Sequence, residues 1–148
     1  MDLVSVLRSV ELFEGLAVDE LRSVVALCEE RRYQAGDVIT TQGERGEELF
    51  VVCEGFVEVT LSRSSADPAP RAMVNLGRGQ IFGEMALVDH GPRSATVRAV
   101  TDNTVVQAIG RQEFTQLCEG NHHLGYTVMR NMASDLSFKL RHRNVAGR

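Results

Sequence analysis

The stretch GQIFGEMALVDHGPRSATVRAV, from Gly79 to Val100, holds the residue types whose spacing points to chemistry. GQIF alternates like a strand and runs into Gly83. EMALVD then carries the propensity for one to two turns of helix, HGP breaks it, and RSATVRAV resumes strand alternation. A short helix opened by a glycine between two strands aims free backbone N–H groups at one point. Arg93 brings the chain back to that point. Aligned N–H donors and a planar guanidinium fork suit a phosphate, which accepts charge-assisted hydrogen bonds from both. Glu84 stands against this reading, because an acid repels an anion. It fits if the ligand also carries hydroxyls, such as those of a ribose, that need an acceptor. Phosphate, ribose hydroxyl and an apolar wall together describe a nucleotide-shaped requirement. Taken singly, Arg93 reads as a surface cation and Glu84 as a helix-start acid; within one motif they read as ligand-binding.

Other chemistries find little support. Cys28, Cys53 and Cys118 are odd in number, far apart and set in apolar stretches (VVALCEE, LFVVCEG, FTQLCEG), which predicts three small buried hydrophobes and a reducing, cytoplasmic location. His90, His122, His123 and His142 form neither H-x-H nor H-E-x-x-H, so no metal site is expected. No nucleophile–base pair stands out, and the expectation is a protein that is not an enzyme. The chain has 148 residues, 43% hydrophobic and 24% charged, with a net charge of −4, which suits one ordinary domain over 1–148. No apolar run is long enough to span a membrane, and no basic flank marks a secretory signal. A mildly acidic chain without a basic tract is a poor partner for DNA.

The elements that must position Glu84 and Arg93 change character along the chain. Residues 1–32 read as a helical segment: one helix over 2–12 with Asp2 as N-cap, stopped by Gly15, and a second over 18–31 ending on the basic pair Arg31-Arg32. From 33 to 110, glycines punctuate short runs such as ELFVVCEG, GFVEVTLS and NTVVQAIG, several of them alternating apolar and polar residues. That pattern predicts a mainly β fold with flanking helices, an antiparallel sandwich or barrel. SRSSADPAPR, residues 62–71, reads as an exposed mobile loop. Residues 111–143 return to helix, first 111–119 with Phe114, Leu117 and Cys118 inward. A longer helix follows from about 121, with Leu124, Val128, Met132, Leu136 and Leu140 four apart. Lys139, Arg141, Arg143 and Arg148 give its end positive charge, suited to the helix dipole or to a contact with a ligand or partner.

FGEMAL followed by RSATV resembles the phosphate-binding cassette of the cyclic nucleotide-binding domain family, here residues 82–96. GDVITTQGERGEELFVVCEGFVEV resembles the family's earlier strands, with Gly36, Gly43, Gly46 and Gly55 at the expected turns. LFEGLAVDELRSVVALCEERRYQAGD resembles its helical lead-in, so the likeness covers about 5–142. The resemblance implies a β-sandwich or jelly roll (a double-stranded β-helix) with N-terminal helices and a C-terminal lid helix. It implies that Glu84 accepts the ribose 2′-hydroxyl and Arg93 pairs with the cyclic phosphate. Gly83, Met85, Ala86 and Ala95 would supply close backbone approach or N–H donors, Ser94 a hydroxyl, and Phe82 packing beneath the cassette. Val59, Leu61 and Met73 are the candidate apolar base contacts from neighbouring strands, and Phe138, Leu140 and Arg141 those of the lid. Family members whose lid offers small hydroxyl residues to adenine differ here, where the stretch reads Phe138-Lys139-Leu140. Ser94 stands where a Thr commonly favours cyclic GMP, so cyclic AMP is the expected ligand and cyclic GMP the alternative. No cofactor is implied.

The function so implied is a sensor that relays binding through its last helix. The alternative is the sensor portion of a longer catabolite activator-type transcription regulator, channel or kinase. A DNA-binding helix-turn-helix would have to follow the lid helix, so this chain is not expected to bind DNA itself. Output would pass to an unknown downstream protein or effector domain. The leucine stripe of the last helix either packs on its own sandwich or forms a homodimer seam.

Overall fold

The computed structural model of the protein describes residues 2–64 and 67–146, the side chains of 63–72 and 143–146 excepted. Its eight strands are β1 (Glu29–Tyr33), β2 (Val38–Thr40), β3 (Glu48–Glu54), β4 (Val57–Ser64), β5 (Asp67–Leu76), β6 (Ile81–Phe82), β7 (Thr96–Ala99) and β8 (Thr104–Gly110). They form two four-stranded antiparallel sheets, ordered β1-β8-β3-β6 and β2-β7-β4-β5. Around them lie α1 (Leu3–Arg8), α2 (Val18–Val25), α3 (Arg111–Gly120) and α4 (His122–Ala146). This is the mainly β sandwich with flanking helices that the sequence predicts.

The central strands of the first sheet bury both faces, so ELFVVCE and TVVQAIG read as nearly continuous apolar runs. Their alternation still sorts the side chains. Phe50, Val52, Val106 and Ala108, with Phe82 of β6, face the second sheet and meet Val57 and Val97. Leu49, Val51, Cys53, Val105 and Ile109 face the helices, against Leu7, Phe13, Leu21, Phe114, Leu124 and Val128. Phe50 and Phe82 stack at 4.8 Å between centroids. That pairing contributes about 0.5–1.5 kcal/mol beyond its buried area and fixes the strand that leads into Gly83.

Four expectations are corrected. The first helix does not run to residue 12: α1 is capped by Asp2, which accepts from the Val4 N–H at 3.1 Å, and ends at Arg8. Val10 is extended and opens a separate 3₁₀ turn, Glu11–Phe13. The second helix stops at Val25, and Arg31-Arg32 lies on β1 rather than at a helix end. There Arg31 reaches Glu48 on β3 with both terminal nitrogens, at 3.1 and 2.6 Å. Residues 62–71 are not a single loop, because β4 and β5 form a hairpin whose ladder reaches Ser62↔Pro70 and Ser64↔Asp67. β5 is an edge strand, so its prolines remove no hydrogen bond from a sheet interior. Of the cysteines, Cys53 is buried, while Cys28 and Cys118 are half-buried against the helix-side core.

α4 is held at its base. Leu124, Val128 and Met132 are buried, whereas Leu136 and Leu140 are exposed. The Asn121 side chain accepts the Leu124 N–H, and Asn131 Nδ2 donates to the carbonyls of Leu12 and Glu14 at 2.9 and 2.8 Å. Buried Glu20 of α2 accepts from the Ala17 N–H at 2.9 Å and lies 2.9 and 3.0 Å from His123 Nδ1. Beyond Met132 the stripe leaves the core.

Candidate functional site

β6 delivers Phe82 to the space between the sheets and ends at Gly83, which adopts φ 78°. That left-handed turn is nearly cost-free for glycine and strained for other residues, and it starts the 3₁₀ turn Glu84–Leu87. Ala86 and Leu87 bury themselves and pin the turn, while Met85 stays exposed. The first internal bond of the turn is donated by the Ala86 N–H to the Gly83 carbonyl at 3.1 Å, so its own ladder does not use the N–H groups of Glu84 and Met85, its first two residues. The chain then crosses the Asp89–Pro92 bend and returns at Arg93, whose own N–H donates to the Glu44 carbonyl at 2.6 Å while its carbonyl accepts from Gly43 at 2.9 Å.

The Arg93 side chain runs over the Phe50 ring, 5.6 Å from its centroid, and Nη1 donates to the Glu48 carbonyl at 2.8 Å. Two glycines make the room. A Cβ on Gly46 would lie 1.9 Å from Arg93 Nε, and one on Gly83 would lie 2.7 Å from Nη1. The Glu48 carboxylate is hydrogen-bonded to Arg31 rather than to this guanidinium. Among the described residues no carboxylate lies within ion-pair distance of Arg93. Burial pushes the Arg93 pKa below its ordinary value, against the opposing fields of Glu48, Glu47 and Glu44. A half-buried cation with spare donors and no counter-ion is an anion site in waiting.

A cavity of about 440 Å³ opens in front of it. Phe82, Gly83, Glu84, Met85, Ala86, Arg93, Ser94 and Ala95 all line it, as does Val59 from β4. The other strand and helix candidates are placed elsewhere. Met73 sits opposite Thr60, out of phase with the pair Val59↔Val74 that lines the cavity, and does not line it; both Met73 and Val74 are more than half exposed. Leu61 lies further up the hairpin and is exposed, as are Leu140 and Arg141. Phe138 lines a neighbouring cavity, where its ring stacks on His142 at 3.9 Å. Sequence reasoning missed Val74, Leu76 and Lys139 as lining residues, and Gly46 as the space for Arg93. Only the hairpin register tells Val74 from Met73, and that register is not legible in the run RAMVNLG alone.

Comparison with known proteins gives this arrangement its class. The profile of the cyclic nucleotide-binding domain family matches residues 30–121, and the chain belongs to that family. It is 36% identical over 115 residues to the cAMP-dependent protein kinase regulatory subunit of Mycosarcoma maydis, covering 75% of this chain and 21% of that protein. It is equally 36% identical over 110 residues to human cGMP-dependent protein kinase 2, covering 74% of this chain and 14% of that protein. Its fold is similar to the crystal structure of the Thermus thermophilus catabolite activator protein, with TM-score 0.80 and 32% identity, over 92% of this chain and 61% of that one. The chain therefore spans a minor part of the kinase-related proteins it matches. Among the described residues no helix is long and apolar enough to cross a membrane, and no cluster of His, Cys, Asp and Glu has the makings of a metal site.

Proposed function

We propose that the chain is a sensor that binds cyclic AMP between the cassette and β4, and relays the event through the free end of α4. The observation that carries this is Arg93: a half-buried guanidinium without a carboxylate partner among the described residues, facing a cavity that also holds Glu84. In this reading Arg93 and the N–H groups of Glu84 and Met85 take the cyclic phosphate, and the Glu84 carboxylate accepts the ribose hydroxyl. Gly83, Ala86 and Ala95 allow close approach, Ser94 offers its hydroxyl, and Phe82 supports the cassette from below. Val59, with Val74 and Leu76, forms the apolar wall for the base. Serine rather than threonine at 94 favours cyclic AMP over cyclic GMP. A downstream protein or an attached effector domain reads the movement. Its share of the kinase-related relatives supports the alternative, that this is the sensor portion of a longer regulator. Any homodimer contact through α4 falls to its exposed end, because Leu124, Val128 and Met132 are occupied by the chain's own core.

Isothermal titration with cyclic AMP and cyclic GMP, with particle size measured before and after, tests this directly. Saturable 1:1 binding of cyclic AMP, tighter than that of cyclic GMP, is expected. Absence of binding by either nucleotide overturns the reading of the cavity, and a clear preference for cyclic GMP overturns the role given to Ser94.

A further inference from the structure

The cassette cavity shares a wall with a second one of about 740 Å³, which runs between residues 9–14, the turn before β6 and α4. Leu76, Ile81, Glu84 and Lys139 line both. Two of these carry opposite charges and come from different elements: Glu84 from the cassette, Lys139 from the part of α4 that has left the core. Lys139 and Arg93 are the two cations that line the cassette cavity among the described residues. Arg93 is committed on the cassette side by its bond to the Glu48 carbonyl. Among the described residues Lys139 is held only by Asp135 Oδ2, at 2.9 Å and one helical turn back, with side chains 60% and 43% exposed. An exposed pair within one helix is weak and easily exchanged, and it ties α4 to nothing but itself. Burial lowers the Lys139 pKa, but the Asp135 hydrogen bond and the fields of Asp135, Glu84 and Glu11 outweigh that and raise it, so the side chain already senses the cassette carboxylate.

Resting on the reading that the cassette cavity takes a cyclic nucleotide, we propose that Lys139 is an electrostatic latch, which exchanges Asp135 for the combined negative charge of Glu84 and the bound cyclic phosphate and so draws the end of α4 toward the cassette. Before binding, Lys139 is divided between an acid on its own helix and one across the cavity. The phosphate adds charge on the far side alone, so the balance moves in one direction. The same exchange answers why an acid is tolerated at an anion site: Lys139 offsets Glu84 from the opposite wall. Lys139 is thus a positioning residue of the sensor rather than one that reads the base.

The test titrates cyclic AMP into the wild-type chain and into Lys139→Gln, Lys139→Arg and Asp135→Asn, at low and at high sodium chloride, and follows amide exchange over 133–146. Lys139→Gln should bind about 2- to 5-fold more weakly at low salt, with the difference fading at high salt, because exposed charges are screened within about 10 Å. It should also lose the ligand-induced protection of 133–146, while Lys139→Arg keeps both. Asp135→Asn should tighten binding, and the double variant with Lys139→Gln should not. Because Lys139 is exposed, equal melting temperatures are expected for all variants. Wild-type affinity and protection in Lys139→Gln overturn the latch alone, as does a difference that ignores salt. Failure of the wild-type chain to bind overturns the reading of the cavity as well.

Discussion

Replacing Arg93 by alanine probes the anion-binding end of the site. In the free protein Nη1 is used by the Glu48 carbonyl at 2.8 Å and touches Gly83 O at 3.5 Å, which leaves the remaining guanidinium donors for a ligand. Each charge-assisted hydrogen bond contributes about 1.5–3 kcal/mol, and a fork engages a phosphate with two. Solvent reaches this half-buried group, so about 3–4 kcal/mol of the gross value should survive, a hundred- to a thousand-fold in Kd. The free protein should barely notice. Alanine forfeits the Glu48 bond and the contact with Phe50 but removes a desolvated charge, and the net change in stability should stay within about 1 kcal/mol. Calorimetry on Arg93→Ala and Arg93→Lys, with thermal melts alongside, separates the contributions. Lysine keeps the charge without the fork and should fall between, near tenfold. A Kd for Arg93→Ala within threefold of wild type would refute the assignment of Arg93 to the anion.

Gly46→Ala changes no charge, yet its Cβ would land 1.9 Å from Arg93 Nε; affinity should drop about tenfold by titration while the melting temperature moves little. Glu20 has a pKa held below its ordinary 4.5, chiefly by the Ala17 N–H and then by His123. Its contribution is therefore complete above pH 4.5 and lost as pH falls through the lower, folded-state value. Glu20→Gln should thus melt lower than wild type at pH 7, and the gap should close on acidification; a gap constant with pH contradicts this. Burial pushes the Cys28 thiol up to about 12 and Cys53 to about 11, and raises Cys118 as well. Native protein at pH 8 should react slowly with a thiol reagent, and all three cysteines quickly in urea.

The cassette was legible because its chemistry is local. Gly83 must adopt a positive φ, Glu84 must follow it, and Arg93 must return within one bend, so the residues that meet in space are near in sequence. Positions set by long-range pairing were not. Arg31-Arg32 has the composition of a helix end, yet the bond from Arg31 to Glu48 and the ladder with β8 make it a strand. Met73 and Val74 are equally apolar, and the pairing of β5 with β4 alone decides which faces the cavity. Gly46 looked like an ordinary turn glycine because the atom that needs its space belongs to Arg93, far along the chain. The four-residue period of the α4 stripe is plain in the sequence, but period says nothing about where a helix parts from its support.

That parting gives α4 the geometry of a lever. Its base is bolted by buried side chains through Met132 and by the Asn131 and Glu20–His123 contacts, and residues 133–146 project beyond this fulcrum. At 1.5 Å per residue the free arm is about 20 Å long, so each 10° of tilt carries its tip through about 3.5 Å. A displacement of a fraction of an ångström beside the fulcrum is thereby multiplied at the far end. In the proposed relay, the amplitude of the output is set by arm length rather than by how far the cassette itself has to move.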